Sequence, residues 1–229
     1  MRSCAERSYS ERPLSARLPL PMLTLVIGDK NLSSWSLRPW LALRHLDLPF
    51  REIKLKLDTP EFKEAVSRYS PTARVPVLID GDVHVWDSLA ILEYVNEKAG
   101  GRGWPSDAAQ RAHARSISAE MHSGFAGLRQ NWPMKAAAKN VHAPLPVEGA
   151  KDVARVDQLW QGCRSKHAAN GPWLFGSFSI ADAMYAPVVL RFNTYQPQLS
   201  SVSSAYVEHV LADPPMLEWL REAHDEIAA

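Results

Sequence analysis

Cysteine is scarce in this chain: Cys4 and Cys163 are the only two among 229 residues. Two cysteines so far apart exclude a disulfide framework and a Cys-x-x-Cys redox pair. We therefore expect a reducing, cytoplasmic environment. The chain also lacks an apolar run approaching the ~18 residues that a membrane span needs, so we expect no membrane contact.

An excess of charge of either sign is also missing. Twenty-six lysines and arginines stand against 25 aspartates and glutamates, and the net charge is +1. Without a basic cluster interleaved with aromatic residues, nucleic acid is not an expected partner. The eight histidines show no ligand spacing such as His-Glu-x-x-His, so we expect no metal. With 46% hydrophobic residues, the chain has the composition of a globular protein with a substantial core.

Residues 1–21 differ from the rest of the chain. They contain four arginines, four serines and three prolines, and no periodic apolar face. We expect either a disordered N-terminal extension or an over-long gene start, with Met22 as the natural beginning. A targeting peptide is the alternative interpretation. These residues are left out of the fold prediction.

Residues 22–100 alternate between strand and helix patterns. Short β-branched runs predict strands at 23–28, 50–55, 75–79 and 83–85. Asp80-Gly81 is a hairpin signal between the last two. Helix patterns follow the first two strands and the fourth, the last one capped by Asp87-Ser88 and ending at Gly100-Gly101. The order is β-α-β-α-β-β-α, in which the first two strands must be parallel and the last two antiparallel.

The rest of the chain predicts helices only. Residues 100–106 have the composition of a linker, and residues 106–229 form the second domain. One long helix is predicted from Asp107 to about Gln130, and a second over residues 148–167. Ser179 and Asp182 have the spacing of a capping box for the next helix, and Asp213-Pro214 opens the last one.

Three serines, Ser33, Ser34 and Ser36, lie where the first helix must begin. Pro39 suits this first turn because its missing N–H would have no partner there. A helix start presents unpaired N–H groups and a positive dipole end, which favour an anion. Together with the hydroxyls, this predicts a site for a thiolate, carboxylate or phosphate. The alternative is a serine cap with two spare loop serines.

Four motifs in order resemble the cytosolic glutathione transferases. They are Ser33-Ser34-Trp35-Ser36, Arg74-Val75-Pro76-Val77-Leu78, residues 87–94 beginning Asp87-Ser88, and Ser179-Ile180-Ala181-Asp182. The resemblance covers essentially residues 22–229. It implies a thioredoxin-like N-terminal domain, an all-α C-terminal domain and glutathione as co-substrate. The serine-rich first motif is similar to the zeta and related serine-type classes.

The resemblance also implies roles for the first motif. Ser33 would donate a hydrogen bond to the thiolate of glutathione, with Ser34 as its rival and Ser36 as a supporting donor. The Val75-Pro76 bond would be cis and would expose the Val75 backbone to the peptide of glutathione. The alternative for Pro76 is an ordinary proline at a strand entry.

Asp87 and Ser88 would hold the γ-glutamyl end of glutathione. Ser88 suits the γ-glutamyl carboxylate, and Asp87 suits the amine. At position 87, many relatives carry the longer Glu or Gln. The alternative is a simple cap pair, and both interpretations are compatible. Arg74 would assist the glycyl carboxylate, or else be a solvated surface residue.

The resemblance further implies that a hydrophobic electrophile binds beside the helix that begins at residue 107. Its expected pocket residues are Trp35, Met121, His122 and Phe125, with a core or surface role as the alternative for His122. Zeta-type isomerases carry a cysteine where this chain has Trp35, so the resemblance leaves open whether isomerase activity is present. The family also implies a homodimer. The alternative to an enzyme is a catalytically idle member of the fold that serves as a binding or assembly module.

Overall fold

The computed structural model describes residues 22–228. The predicted N-terminal extension, residues 1–21, lies outside the described residues. Within the described part, no helix is long and apolar enough to cross a membrane.

A four-stranded sheet forms the first half of the described chain. Its strands are β1 (Leu23–Ile27), β2 (Phe50–Lys54), β3 (Val77–Asp80) and β4 (Val83–Trp86), in the order β2-β1-β3-β4. β1 pairs with β2 in parallel and with β3 antiparallel, and β3 and β4 form an antiparallel hairpin. β1 lies between β2 and β3 and is buried along its whole length. The predicted strand pairing is confirmed.

Three helices complete this half: α1 (Ser34–His45), α2 (Pro60–Ser67) and α3 (Ser88–Lys98). Their order confirms the predicted β-α-β-α-β-β-α unit. Pro39 was expected in the first turn of α1, but it is the sixth residue of the helix and lies in the second turn, because α1 already begins at Ser34. Pro60 is the first residue of α2. α1 packs against α3 and also against a helix of the second half. The division of the chain at residues 100–106 stays a prediction.

The second half is helical, as predicted. Its helices are α4 (Ala108–Ser123), α5 (Ala126–Asn131), α6 (Val147–His167), α7 (Ile180–Tyr195), α8 (Ser201–Leu211) and α9 (Pro214–Ala228), with a 3-10 turn at Ala168–Asn170. α7 is buried almost throughout and packs against α1, α4 and α8. It is the central helix of the core.

The predicted capping box organises the start of α7. One carboxylate oxygen of Asp182 accepts from the Ser179 N–H at 2.9 Å and from its hydroxyl at 3.0 Å. The other accepts from the Leu174 N–H at 3.0 Å and from the Tyr206 hydroxyl at 2.9 Å. Burial raises the pKa of Asp182, and these hydrogen bonds oppose that rise. Its structural role is confirmed.

The single helix predicted from Asp107 to Gln130 is wrong. α4 ends at Ser123, and Phe125 adopts a left-handed conformation with φ 58° before α5 begins. A Cβ atom on Gly124 would lie 2.7 Å from the Glu120 carbonyl oxygen, so the chain turns where only glycine fits. α8 is a further helix that the sequence did not reveal, and Ser200 caps it by accepting from the Ser203 N–H at 3.2 Å.

Candidate functional site

A cleft of about 330 Å³ opens where the start of α1, the loop before β3, the start of α3 and the end of α4 meet. It brings together seven of the residues that the sequence singled out. Thr72 and Trp86 also line it and were missed. The lining residues are Trp35, Thr72, Arg74, Val75, Pro76, Trp86, Asp87, Ser88 and His122.

Ser33 and Ser36 form a hydrogen-bonded pair at the start of α1. Their hydroxyl oxygens are 2.6 Å apart, and the Ser36 oxygen accepts from the Gly28 N–H at 3.2 Å. Ser36 is fully buried, so it reaches a ligand only through Ser33. Ser34 is the first residue of α1 and is half-buried. The structure thus separates the three predicted serines into a buried pair and one neighbour. None of the three is among the cleft-lining residues, so their role at the site stays a prediction.

The N-terminal turn of α1 keeps unpaired donors. Within residues 22–228, the N–H groups of Trp35 and Ser36 have no acceptor, and the Ser33 side chain caps none of them. Without a capping carboxylate in this turn, the positive end of the helix dipole is uncompensated. This end of α1 favours an anion, as the sequence predicted.

The Val75-Pro76 peptide bond is cis, as the resemblance implied. Val75 precedes β3, and its backbone N–H and C=O have no partner among the described residues. Arg74 is exposed at the same edge of the cleft. This edge therefore offers an unpaired peptide unit beside a cation.

Asp87 has two sets of contacts. Its Oδ1 caps α3 by accepting from the N–H groups of Leu89 at 2.9 Å and Ala90 at 3.5 Å. Its Oδ2 lies 3.3 Å from His122 Nε2 on α4. Asp87 is exposed and its backbone is left-handed, with φ 70°. The carboxylate is thus held in place while one oxygen faces the cleft-lining histidine.

Ser88 supplies an unsatisfied hydroxyl. The side chain is 1% exposed, and its Oγ has no hydrogen-bond partner among the described residues. A buried polar atom without a partner is costly unless a ligand satisfies it. Its place in the cleft lining, at the start of α3, therefore indicates a ligand group.

Only two of the four residues expected in the pocket for a second substrate line the cleft. Trp35 and His122 line the cleft and meet edge to face, with ring centroids 5.5 Å apart. Met121 and Phe125 do not line it, and both are buried in the hydrophobic core. The break after Ser123 turns Phe125 inward, where it contacts Tyr185.

Two arginines behind Trp35 were missed. The Arg38 guanidinium lies 4.2 Å from the centroid of the Trp35 ring, and that of Arg129 lies 5.4 Å from it. Burial, then Arg191 and Arg129, lower the pKa of Arg38 to about 9. The signal in the sequence was a charged residue among the apolar positions of α1, next to Leu37.

Thr72 and Trp86 carried weaker signals. Thr72 lies in the loop between α2 and β3, two residues before Arg74. Trp86 ends β4 directly before Asp87 and is one of the exposed large hydrophobic residues. Each lies next to a predicted motif. Extending the two motifs by one or two residues towards the N-terminus would include both residues. Within the described part of the chain, no group of three metal-binding side chains occurs.

A mixed four-stranded sheet with a cis proline before β3, joined to a helical bundle, defines a thioredoxin-like fold with an α-helical partner domain. Two family models match: the glutathione S-transferase N-terminal domain over residues 32–98 and the C-terminal domain over residues 148–226. The chain therefore belongs to the glutathione S-transferase family, whose co-substrate is glutathione.

Curated relatives agree with this assignment. A probable maleylacetoacetate isomerase of Caenorhabditis elegans is 37% identical over 190 residues, which are 80% of this chain and 85% of that protein. A dichloromethane dehalogenase of Methylorubrum extorquens is 45% identical over 60 residues, which are 25% of this chain and only 21% of that protein.

Solved structures share the fold. A glutathione transferase homologue from Burkholderia with bound glutathione superposes with a TM-score of 0.66 at 22% identity. The superposition covers 89% of this chain and 99% of that one.

Proposed function

We propose that the protein is a glutathione transferase in which Ser33 activates the thiol of glutathione for attack on an electrophilic small molecule. The observation that carries this proposal is the chain of hydrogen bonds from Gly28 through Ser36 to Ser33. Since the Ser36 oxygen accepts from a backbone N–H, its own hydrogen is available for Ser33. Ser33, which is 6% exposed and precedes the cleft-lining Trp35 by two residues, then keeps its hydrogen for a further acceptor.

This arrangement suits a thiolate better than a thiol. A thiolate is a pure acceptor, and polarised hydroxyls in series donate more strongly than an isolated one. A hydrogen bond to a charged group contributes about 1.5–3 kcal/mol, and one pKa unit corresponds to about 1.36 kcal/mol. Ser33 alone therefore accounts for a fall of about one to two units from the usual thiol pKa of ~8.5. The free N–H groups at the start of α1 act in the same direction.

The cleft-lining residues match the remaining groups of glutathione. The unpaired Val75 backbone suits its peptide unit as a short added strand. The unsatisfied Ser88 hydroxyl suits the γ-glutamyl carboxylate, and Asp87 suits the neighbouring amine. Arg74 lies on the exposed side, where the glycyl carboxylate would reach solvent.

The reaction that follows is substitution or addition at an electrophilic carbon. Isomerase and dehalogenase are activities in the names of relatives. Trp35 supplies no thiol at the position where zeta-type isomerases carry a cysteine. We further propose a homodimer, supported by Val83 and Trp86, which β4 exposes at the edge of the sheet. A cytoplasmic location fits the free thiol of Cys163.

The test is calorimetric titration with glutathione, combined with ultraviolet titration of the bound thiol. Wild type should bind glutathione with a depressed thiol pKa, and Ser33→Ala should raise that pKa by about one to two units. Ser34→Ala is the matched control and should leave it unchanged. A pKa change in Ser34→Ala alone would transfer the role to Ser34. No binding at millimolar glutathione would favour the idle module.

A further inference from the structure

The loop between β1 and α1 contains one closed turn. The Asp29 carbonyl accepts from the N–H groups of Leu32 at 3.2 Å and Ser33 at 2.8 Å. Lys30 and Asn31 therefore lie at the middle of a turn that ends at Ser33. Because Ser33 is tied to this turn through its N–H, the path of the turn determines where the Ser33 hydroxyl lies.

All four backbone polar groups of Lys30 and Asn31 bond to the second half of the chain. Their N–H groups donate to Oε1 and Oε2 of Glu226 at 3.0 and 3.1 Å, respectively. The Lys30 carbonyl accepts from Trp219 Nε1 at 2.9 Å, and the Asn31 carbonyl accepts from the Ala136 N–H at 3.0 Å. The middle of the turn is thus held by α9 and by the loop after α5.

Glu226 satisfies two consecutive N–H groups with one carboxylate. Its side chain is 11% exposed, and Lys54 Nζ also donates to its Oε1 at 2.8 Å. Hydrogen bonds to a carboxylate are stronger than those to a neutral acceptor. Without Glu226, both N–H groups would lose their acceptor in a partly buried place, and the turn would have to open towards water to satisfy them. The conformation of the turn therefore depends on this carboxylate.

Glu222 lies one helical turn earlier on α9 and contacts the same loop in a different way. Its Oε2 accepts from Lys30 Nζ at 2.7 Å, which is a side-chain contact. Lys30 Nζ has a second carboxylate partner, Glu52, at 2.9 Å. Glu222 thus places a negative charge beside the turn without fixing the path of its backbone. The two acids of α9 therefore allow positioning to be separated from charge.

We infer that Glu226 is a positioning residue for Ser33: it holds the turn in the conformation from which the Ser33 hydroxyl reaches the thiol of glutathione. The inference rests on the proposed function, in which Ser33 donates to the thiolate. A hydrogen bond weakens steeply when donor and acceptor are misaligned. Catalytic groups have to be held within about 0.5 Å of their productive geometry. A carboxylate of α9 thereby acts on the thiol through the serine.

The thiol pKa of bound glutathione, measured by ultraviolet titration, tests the inference. Glu226→Ala should raise this pKa by about 0.5–1 unit, a part of the one to two units that Ser33 contributes. Charge alone predicts the opposite sign, because removing a nearby carboxylate favours the thiolate and lowers its pKa. Glu222→Ala is the matched control on the same helix, and it should leave the thiol pKa unchanged or lower it.

A double-mutant cycle shows whether Glu226 acts through Ser33. When Ser33→Ala is already present, adding Glu226→Ala should cause no further rise in the thiol pKa, because the hydroxyl that Glu226 positions is gone. Additive rises in the double variant would overturn the inference. An equal rise in Glu222→Ala would overturn it too, since a general loosening of α9 would then explain both effects.

Glu226→Gln guards against misfolding of the alanine variant. Its amide keeps one acceptor for the two N–H groups, so the thiol pKa should lie between those of wild type and Glu226→Ala. The melting temperature shows which variants are folded, and the glutamine variant decides alone if Glu226→Ala is not. A rise in Ser33→Ala without a rise in the folded Glu226 variants would overturn the inference only. An unchanged thiol pKa in Ser33→Ala would overturn the proposed function and the inference together.

Discussion

Asp87 combines a structural and a binding role in one side chain, and the two roles are separable by substitution. Asp87→Asn keeps the oxygen that caps α3 and tolerates the left-handed backbone at φ 70°. It removes the charge that we assign to the amine of glutathione. We expect glutathione affinity to fall by about tenfold or more, while the free energy of unfolding changes by less than about 0.5 kcal/mol.

Asp87→Ala is the comparison for this prediction. It loses the cap and strains the backbone, so stability should fall by about 1–3 kcal/mol in addition to the loss of binding. Calorimetry with glutathione and urea denaturation measure the two effects separately. If Asp87→Asn binds glutathione as tightly as wild type, Asp87 acts only as a cap.

At the scale of single elements, the break between α4 and α5 determines what faces the cleft. Gly124→Ala would place a Cβ 2.7 Å from the Glu120 carbonyl oxygen, which is backbone and cannot move freely. We expect a loss of about 1–3 kcal/mol in the free energy of unfolding, measured in urea. A second, smaller effect should appear on the binding of electrophiles, because His122 lies just before the break.

Gly162→Ala is the matched control for Gly124→Ala. Gly162 lies inside α6, where an added Cβ meets nothing within 4 Å. The same substitution should stabilise there by up to about 1 kcal/mol, since alanine has the higher helix propensity. Equal effects at both glycines would show that the contact with Glu120 is not restrictive.

This break also marks the limit of what the sequence could predict. The sheet half was predictable because its signals are local: β-branched runs, the Asp80-Gly81 hairpin and the Asp87-Ser88 cap. Most of the cleft-lining residues were instead implied by the resemblance to the glutathione transferases. The left-handed Phe125 was not predictable, since the helical pattern of apolar residues continues through it. Phe125 therefore appeared to belong to the cleft, although it packs in the core. Met121 lies on α4 before the break and packs in the core as well, so the break does not account for it.

The arginines near Trp35 were not predicted for a different reason. Arg38 lies three residues after Trp35 on α1, but its environment is complete only when Arg129 of α5 and Arg191 of α7 come close to it. The spacing of residues along the chain does not predict contacts between side chains of different helices. A buried, unpaired guanidinium is a property of the tertiary structure, whereas the serine cluster and the cap of α3 are properties of short segments.

At the scale of the whole molecule, α9 is hydrogen-bonded and ion-paired to the loop between β1 and α1, which precedes the serines. Lys30 is 1% exposed, and its Nζ lies 2.9 Å from Glu52 on β2 and 2.7 Å from Glu222 on α9. Glu226 on α9 accepts from the backbone N–H groups of Lys30 and Asn31 at 3.0 and 3.1 Å. The start of α1 is thus tied to the C-terminal helix, so the two halves should unfold together.

Lys30→Met tests this coupling. Breaking a buried ion pair usually costs about 3–5 kcal/mol, but Glu52 and Glu222 are 26% and 33% exposed and can rehydrate, so we expect about 2–3 kcal/mol in urea. Glutathione affinity should change by less than about twofold, because backbone contacts from Glu226 still hold the loop. Lys54→Met, which removes an exposed partner of Glu226, should cost at most about 1 kcal/mol. Equal losses from the two lysines, or two separate unfolding transitions, would show that α9 does not couple the halves through Lys30.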